Sequence, residues 1–301
     1  MDLREELLKA YHAKSGQAGA AVGSPMPALP ELEQAVCIAV INQKGGCGKT
    51  TTAVNLSTCL AEVGYRVLLV DMDPQAHATL GVGLNGEEME IVIYHILLRK
   101  ELPLAKGIQG TFHRNLKLLP ANGLLASAQM ELLSVPQRDQ ILKTRLKELE
   151  DLFDFILIDC PPSLNVLTIN ALTAANRVLI PIQTQFYSLD GMRELFKTIE
   201  LVRENSNPQL SILGILPTLF DPRTKLNRSM LQALKEYFKE QLFDSPIHLN
   251  AALAECPMMG QPVTRYAPGS RGAGDYRRLT GEVLARVARS ARSQRHSAQT
   301  L

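Results

Sequence analysis

Long apolar runs are missing from this 301-residue chain. No stretch reaches the roughly 18 apolar residues that a helix needs to cross a bilayer, so no spanning helix is expected. The opening segment, Met1–Lys14, is charged and lacks the apolar centre of a signal peptide. Cysteine is sparse: the five residues Cys37, Cys47, Cys59, Cys160 and Cys256 are scattered and include no C-x-x-C pair. That usage predicts a reduced, cytoplasmic protein. A dominant charge sign is also lacking, because the net charge is only +2, which excludes a globally polybasic chain. What is present is 46% hydrophobic content, enough to bury a large core. The length then predicts one α/β domain with short extensions.

The most informative stretch is Val36–Thr52. An apolar, β-branched run from Val36 to Ile41 stops at a glycine-rich turn, and a helical pattern begins near Gly48. That order is strand, phosphate loop, helix. Gly45, Gly46 and Gly48 carry no side chains, so backbone N–H groups can approach phosphate oxygens. The helix start adds its positive dipole end. Lys49 is spaced to reach the β- and γ-phosphates, and the Thr50 hydroxyl to ligate Mg²⁺. Cys47 lies inside the loop, where a lowered thiol pKa and a plain small filler are both open.

Two more buried strands end in carboxylates. Arg66–Asp71 runs into Asp71-Met72-Asp73-Pro74-Gln75, and Asp154–Asp159 runs into Asp159-Cys160-Pro161-Pro162. Acidic groups at the carboxyl ends of parallel strands lie where open α/β sheets bind ligands. Asp159 fits a Walker B aspartate that holds Mg²⁺ through water. Helices are expected at Ile91–Leu98, Gln137–Leu149, Leu164–Ala175 and Leu189–Arg203, and strands at Asn115–Pro120, Arg177–Pro181 and Leu210–Thr218. Together these predict a doubly wound, mostly parallel sheet with helices on both faces.

The loop departs from the usual G-x-x-x-x-G-K-[ST], because Gln43 stands where the first glycine belongs and Lys44 follows it. Lys44-Gly45-Gly46-Cys47-Gly48-Lys49-Thr50 resembles the deviant Walker A motif of the ParA/MinD/Soj ATPases. Asp71-Met72-Asp73-Pro74-Gln75 resembles that family's D-x-D-P-Q segment, and Asp159-Cys160-Pro161-Pro162-Ser163 its second switch. Gln183–Gly191 is similar to a stretch near its dimer face. The resemblance spans roughly residues 35–290, taken as the ATPase domain. It leaves 1–34 as an extension and 291–301 as a basic flexible tail. In the extension, Asp2–Lys14 reads as a short helix and Ser15–Glu31 as a linker, or the whole as a disordered tail.

The resemblance implies slow, Mg²⁺-dependent ATP hydrolysis in a P-loop NTPase fold. Catalysis would fall to Lys44, Lys49 and Asp73. Lys44 would reach the nucleotide of a second copy across a homodimer, and Asp73 would place the attacking water. Asp71 would hold the loop or touch Mg²⁺ at second hand. ATP would rest on Lys44 to Thr51, with Thr51 closing the loop and Thr218 near the adenine; Thr50 and Asp159 would hold the metal.

The implied biology is partitioning or positioning of cargo on the nucleoid through non-specific DNA, with a ParB-like or cargo-adaptor protein stimulating hydrolysis. Relatives carry arginines in a segment like R-N-V-R-L-S-E-A-P, but here both arginine positions are lost, to Leu249 and Ala252. Eight arginines lie between Arg265 and Leu301 against only Asp275 and Glu282. This makes Arg265, Arg271, Arg277 and Arg278 the DNA-contact candidates. The alternative is a MinD-like regulator acting through membrane or protein contacts. Its membrane form would need the stripe Leu279, Val283, Leu284 and Val287, but Ala288–Leu301 is poor anchor material. A nitrogenase-reductase-like enzyme is the remote third reading; its cluster cysteines are not recognisable here.

Overall fold

A computed structural model describes residues 32, 34–184 and 192–298, with side chains through 290. The expected amino-terminal helix and linker lie outside the described residues, as does 185–191 of the dimer-face stretch.

Seven strands form one sheet: β1 (Val36–Val40), β2 (Val67–Asp71), β3 (Gln109–Gly110), β4 (Leu116–Leu119), β5 (Phe155–Asp159), β6 (Arg177–Gln183) and β7 (Ser211–Thr218). Their order is β3-β4-β2-β5-β1-β6-β7. All pairings are parallel except β3 with β4, a short antiparallel edge with no distinct sequence signal. The helices are α1 (Lys49–Val63), α2 (His77–Gly81), α3 (Ile93–Leu98), α4 (Leu125–Glu131), α5 (Ile141–Leu146) and α6 (Val166–Ala174). They continue as α7 (Met192–Asn205), α8 (Lys225–Phe238), α9 (Ala251–Glu255), α10 (Val263–Tyr266) and α11 (Arg271–Ala298).

The central strands are buried on both sides, as covered parallel sheets require. Alternate residues of β1 serve two cores. Val36, Ile38 and Val40 pack with α1 and α11, and Cys37 and Ala39 with α3 to α8. The stripe Leu279, Val283, Leu284 and Val287 lies wholly inside the first core, so it is not free to meet a membrane. Among the described residues no helix is long and apolar enough to cross one. The stretch expected as a flexible tail begins instead as helix, because α11 continues to Ala298. Its alanines and arginines are strong helix formers.

The chain leaves β1 in one direction to reach β2 and crosses back over it from β5 to β6. The carboxyl end of β1 is therefore a topological switch point. Val40 and Asp71 both stand opposite Asp159 in register, so three ligand-bearing strand ends share one edge.

Candidate nucleotide site

The phosphate loop owes its shape to Gly46 and Gly48, whose φ values of 71° and 86° are left-handed. Gly48 begins α1, and no side chain caps that helix. Its first-turn N–H groups are thus left for an anionic ligand.

Later strands hold the loop from below. Gln183, ending β6, donates Nε2–H to the Gly46 carbonyl at 2.8 Å. Thr218, ending β7, donates its hydroxyl to the Cys47 carbonyl at 2.8 Å. Asn42 accepts from the Lys44 amide at 3.0 Å and donates to the Pro181 carbonyl at 2.6 Å. The Lys49 ammonium, buried in the loop, donates to the Lys44 carbonyl at 3.2 Å. Asn42 carried no role in the sequence reading, and Gln183 entered it only as the first residue of a stretch similar to one near the family's dimer face. The only signal was a polar amide at the end of an apolar strand. The Cys47 thiol is buried and desolvation pushes its pKa up, which disfavours the thiolate.

The carboxylates separate by environment. Asp71 is fully buried and accepts from the Asp73 amide (3.1 Å), the Thr79 amide (2.8 Å) and the Thr79 hydroxyl (2.8 Å). It therefore holds the loop, although burial still raises its pKa to about 6. Asp73 lines the cleft and accepts from the Gln75 amide at 3.0 Å. Asp159 is fully buried, and neither of its oxygens has a hydrogen-bond partner. Desolvation first, then the charge of Asp71, lifts its pKa well above the usual carboxylate range. The nearby Thr50 hydroxyl favours the charged form without completing a hydrogen bond of ordinary geometry.

A buried acid left unpaired beside a hydroxyl and Lys49 suits a divalent cation. Among the described residues no three His, Cys, Asp or Glu cluster to cage a metal. Mg²⁺ needs no such cage, since one or two carboxylates plus substrate phosphates and water suffice. Thr50 and Asp159 therefore fit Mg²⁺.

A cleft of about 550 Å³ opens over these groups. The phosphate loop, Asp73 and Thr218 form one side, and Ile247–Asn250 with Leu253 form the other. Tyr276 reaches the cleft from α11 and shares a 3.2 Å hydrogen bond with Thr52 of α1. A larger hollow of about 850 Å³ touches Ile212 and Leu213, at the opposite ends of the strands.

The basic segment is less available than its charge implies. Arg265 is exposed, with its guanidinium 5.1 Å from the Phe112 ring centre. Arg271 contacts His248 Nε2 at 2.6 Å. Arg277 is half-buried and donates to the Pro268 carbonyl at 2.8 Å. Arg278 is half-exposed and paired with Asp275. Arg286 is structural: its part-buried guanidinium serves the carbonyls of Leu213, Gln241 and Leu242 and pairs with the buried Glu282.

A family model described as an AAA domain matches residues 35–212. The chain is 44% identical to the sporulation initiation inhibitor protein Soj of Bacillus subtilis, over 82% of its own length and 98% of that protein's. Its fold is similar to that of a cobyrinic acid a,c-diamide synthase from Mycobacterium smegmatis solved with a bound ATP analogue and magnesium. That pair shows a TM-score of 0.72 and 36% identity over 82% of this chain and 93% of the other. It is also similar to the septum site-determining protein MinD of Pyrococcus horikoshii in complex with Mg-ADP, with a TM-score of 0.68 and 25% identity over 83% and 96% of the two chains.

Proposed function

The chain belongs to the Soj/ParA family of P-loop ATPases, and from that premise we propose that it clamps ATP between two copies of itself and uses hydrolysis to release a DNA-bound dimer. It is an ATPase that uses Mg²⁺ and ATP. The observation that carries the assignment to this cleft is the buried, unpartnered Asp159 carboxylate beside Thr50, at the foot of an uncapped helix.

Placement in the cleft supports the following roles. The loop N–H groups and Lys49 bind the β- and γ-phosphates. Thr50, and Asp159 through water, would hold Mg²⁺, which would supply charge neutralisation at the phosphate oxygens. Asp73, at the cleft wall, accepts a hydrogen bond from the attacking water and aims it along the line of the breaking bond. Lys44 from the second copy adds positive charge where negative charge develops. Thr218 holds the loop from below and borders the space for the base. Residues 35–290 make the ATPase domain, and 1–34 an extension that a partner can engage.

Dimerisation doubles the basic surface. Because phosphate contacts multiply, two copies bind duplex DNA far more steeply than one. The cargo is a chromosome, a plasmid or a protein complex, and an adaptor protein stimulates hydrolysis. Cytoplasmic, nucleoid-associated residence follows from this reading. Leu249, 59% exposed at the cleft rim where relatives carry arginine, favours a second reading in which protein contacts replace DNA. Co-sedimentation of the ATP form with DNA separates the two.

The clamp itself is tested with Asp73→Ala. Without the group that positions water, the variant should hold ATP and elute as a dimer in Mg-ATP. Monomeric elution with ATP bound refutes the clamp.

A further inference from the structure

Asp275 is the most enclosed charge outside the nucleotide site. It lies in the second turn of α11 with no exposed surface. One oxygen accepts both the His248 amide at 2.8 Å and His248 Nδ1–H at 2.9 Å. The other takes a hydrogen bond from Arg278. Arg271 donates to His248 Nε2, so the imidazole is the Nδ1–H tautomer, joining a carboxylate to a guanidinium. His248 is at the same time part of the cleft wall facing the phosphate loop. The wall is braced from behind by Phe220, whose amide donates to the Ile247 carbonyl at 3.0 Å while its carbonyl accepts from the Leu249 amide at 3.1 Å.

We propose that Asp275 is an autoinhibitory latch between the nucleotide cleft and the basic face. In the conformation described here it cancels much of the charge that Arg278 would offer a phosphate backbone, while His248 holds Arg271 beside it. Its grip depends on the 247–250 wall, because two of its three hydrogen bonds come from His248. Nucleotide filling the cleft moves that wall, loosens the carboxylate from Arg278, and delivers the arginine to DNA. This rests on the reading that these arginines touch DNA, and adds how nucleotide controls them.

The test is Asp275→Asn in the full chain, titrated with a short duplex of arbitrary sequence at several salt concentrations. The amide oxygen keeps an acceptor for His248, but its NH₂ meets Arg278 donor to donor and releases it. One additional phosphate contact steepens the dependence of log affinity on log salt by about 0.9. Extrapolated from 1 M, that is about eightfold tighter binding at 0.1 M salt. The variant should show this gain without nucleotide, and the gap to the parent should close when a slowly hydrolysed ATP analogue is added.

Arg278→Gln is the companion. If it leaves DNA affinity unchanged in the presence of the ATP analogue, the DNA reading itself fails. If it weakens binding while Asp275→Asn matches the parent, the latch is overturned and the DNA reading stands. A gap that persists with nucleotide overturns the coupling to the cleft. Should Asp275→Asn not fold, the parent protein decides by NMR. The Arg278 Nη2–H should be protected from exchange in the free protein and should shift on adding DNA with the analogue; an unchanged signal refutes the latch.

Discussion

Replacing Thr218 by valine removes one hydrogen bond and almost nothing else, since the two side chains have the same shape. The lost bond is the 2.8 Å contact from a buried hydroxyl to the Cys47 carbonyl, in the middle of the phosphate loop. Leaving a buried acceptor without this partner costs about 1–3 kcal/mol. Each 1.4 kcal/mol is about tenfold in a binding constant, so a cost borne by the nucleotide-competent loop weakens Mg-ATP binding about 5- to 150-fold. Calorimetric titration gives the affinity, and a melting curve checks that the fold persists. Thr218→Ser keeps the hydroxyl and drops the methyl, and should bind within about twofold of the parent. If valine binds ATP as tightly as threonine, the strand does not organise the loop. If serine is weakened while valine is not, the γ-methyl matters and the residue acts by contact with the base.

The acidic edge of the sheet sets a pH dependence. Burial raises Asp71 from its ordinary 3.8 to about 6, and Asp159 stands opposite it in register with its pKa also raised. A carboxyl whose pKa is higher in the fold favours the protonated native state, so its destabilising effect grows as pH rises through that interval and is complete above it. Without nucleotide or metal, the melting temperature should fall across this window, and Asp159→Asn should flatten the fall; an unaltered slope in the variant contradicts this. Arg286→Ala should cost about 3–5 kcal/mol of stability, because it takes this partner from the buried Glu282 carboxylate and from three carbonyls. The folded fraction should bind DNA as before; full stability with weakened DNA binding would contradict the structural role.

The sheet and the phosphate loop were legible because their signals are local. A β-branched run, three glycines and two lysines occupy one window, and each acidic residue directly follows its strand. The loop's supports were not legible, because each joins distant positions through a side chain and a backbone group. Gln183 and Gly46 are 137 residues apart, and Thr218 and Cys47 are 171 apart. No periodicity marks such pairs. The environments of the tail's arginines were not legible for a related reason. Arginine looks alike in sequence whether it faces solvent, as Arg278 half does, or closes a row of carbonyls, as Arg286 does. The resemblance to ParA-like ATPases located the chemistry but is silent on Asp275 and His248, which meet only in three dimensions.

The placement of β1 carries a consequence for synthesis. The strand that leads into the phosphate loop is made first, yet both of its neighbours, β5 and β6, are made more than a hundred residues later. Tyr276, which buttresses the following helix through Thr52, is 224 residues downstream of it. A half-finished polypeptide on the ribosome therefore exposes the glycine-rich turn with nothing beneath it. The loop and the helix after it gain their full support only once translation has passed Tyr276.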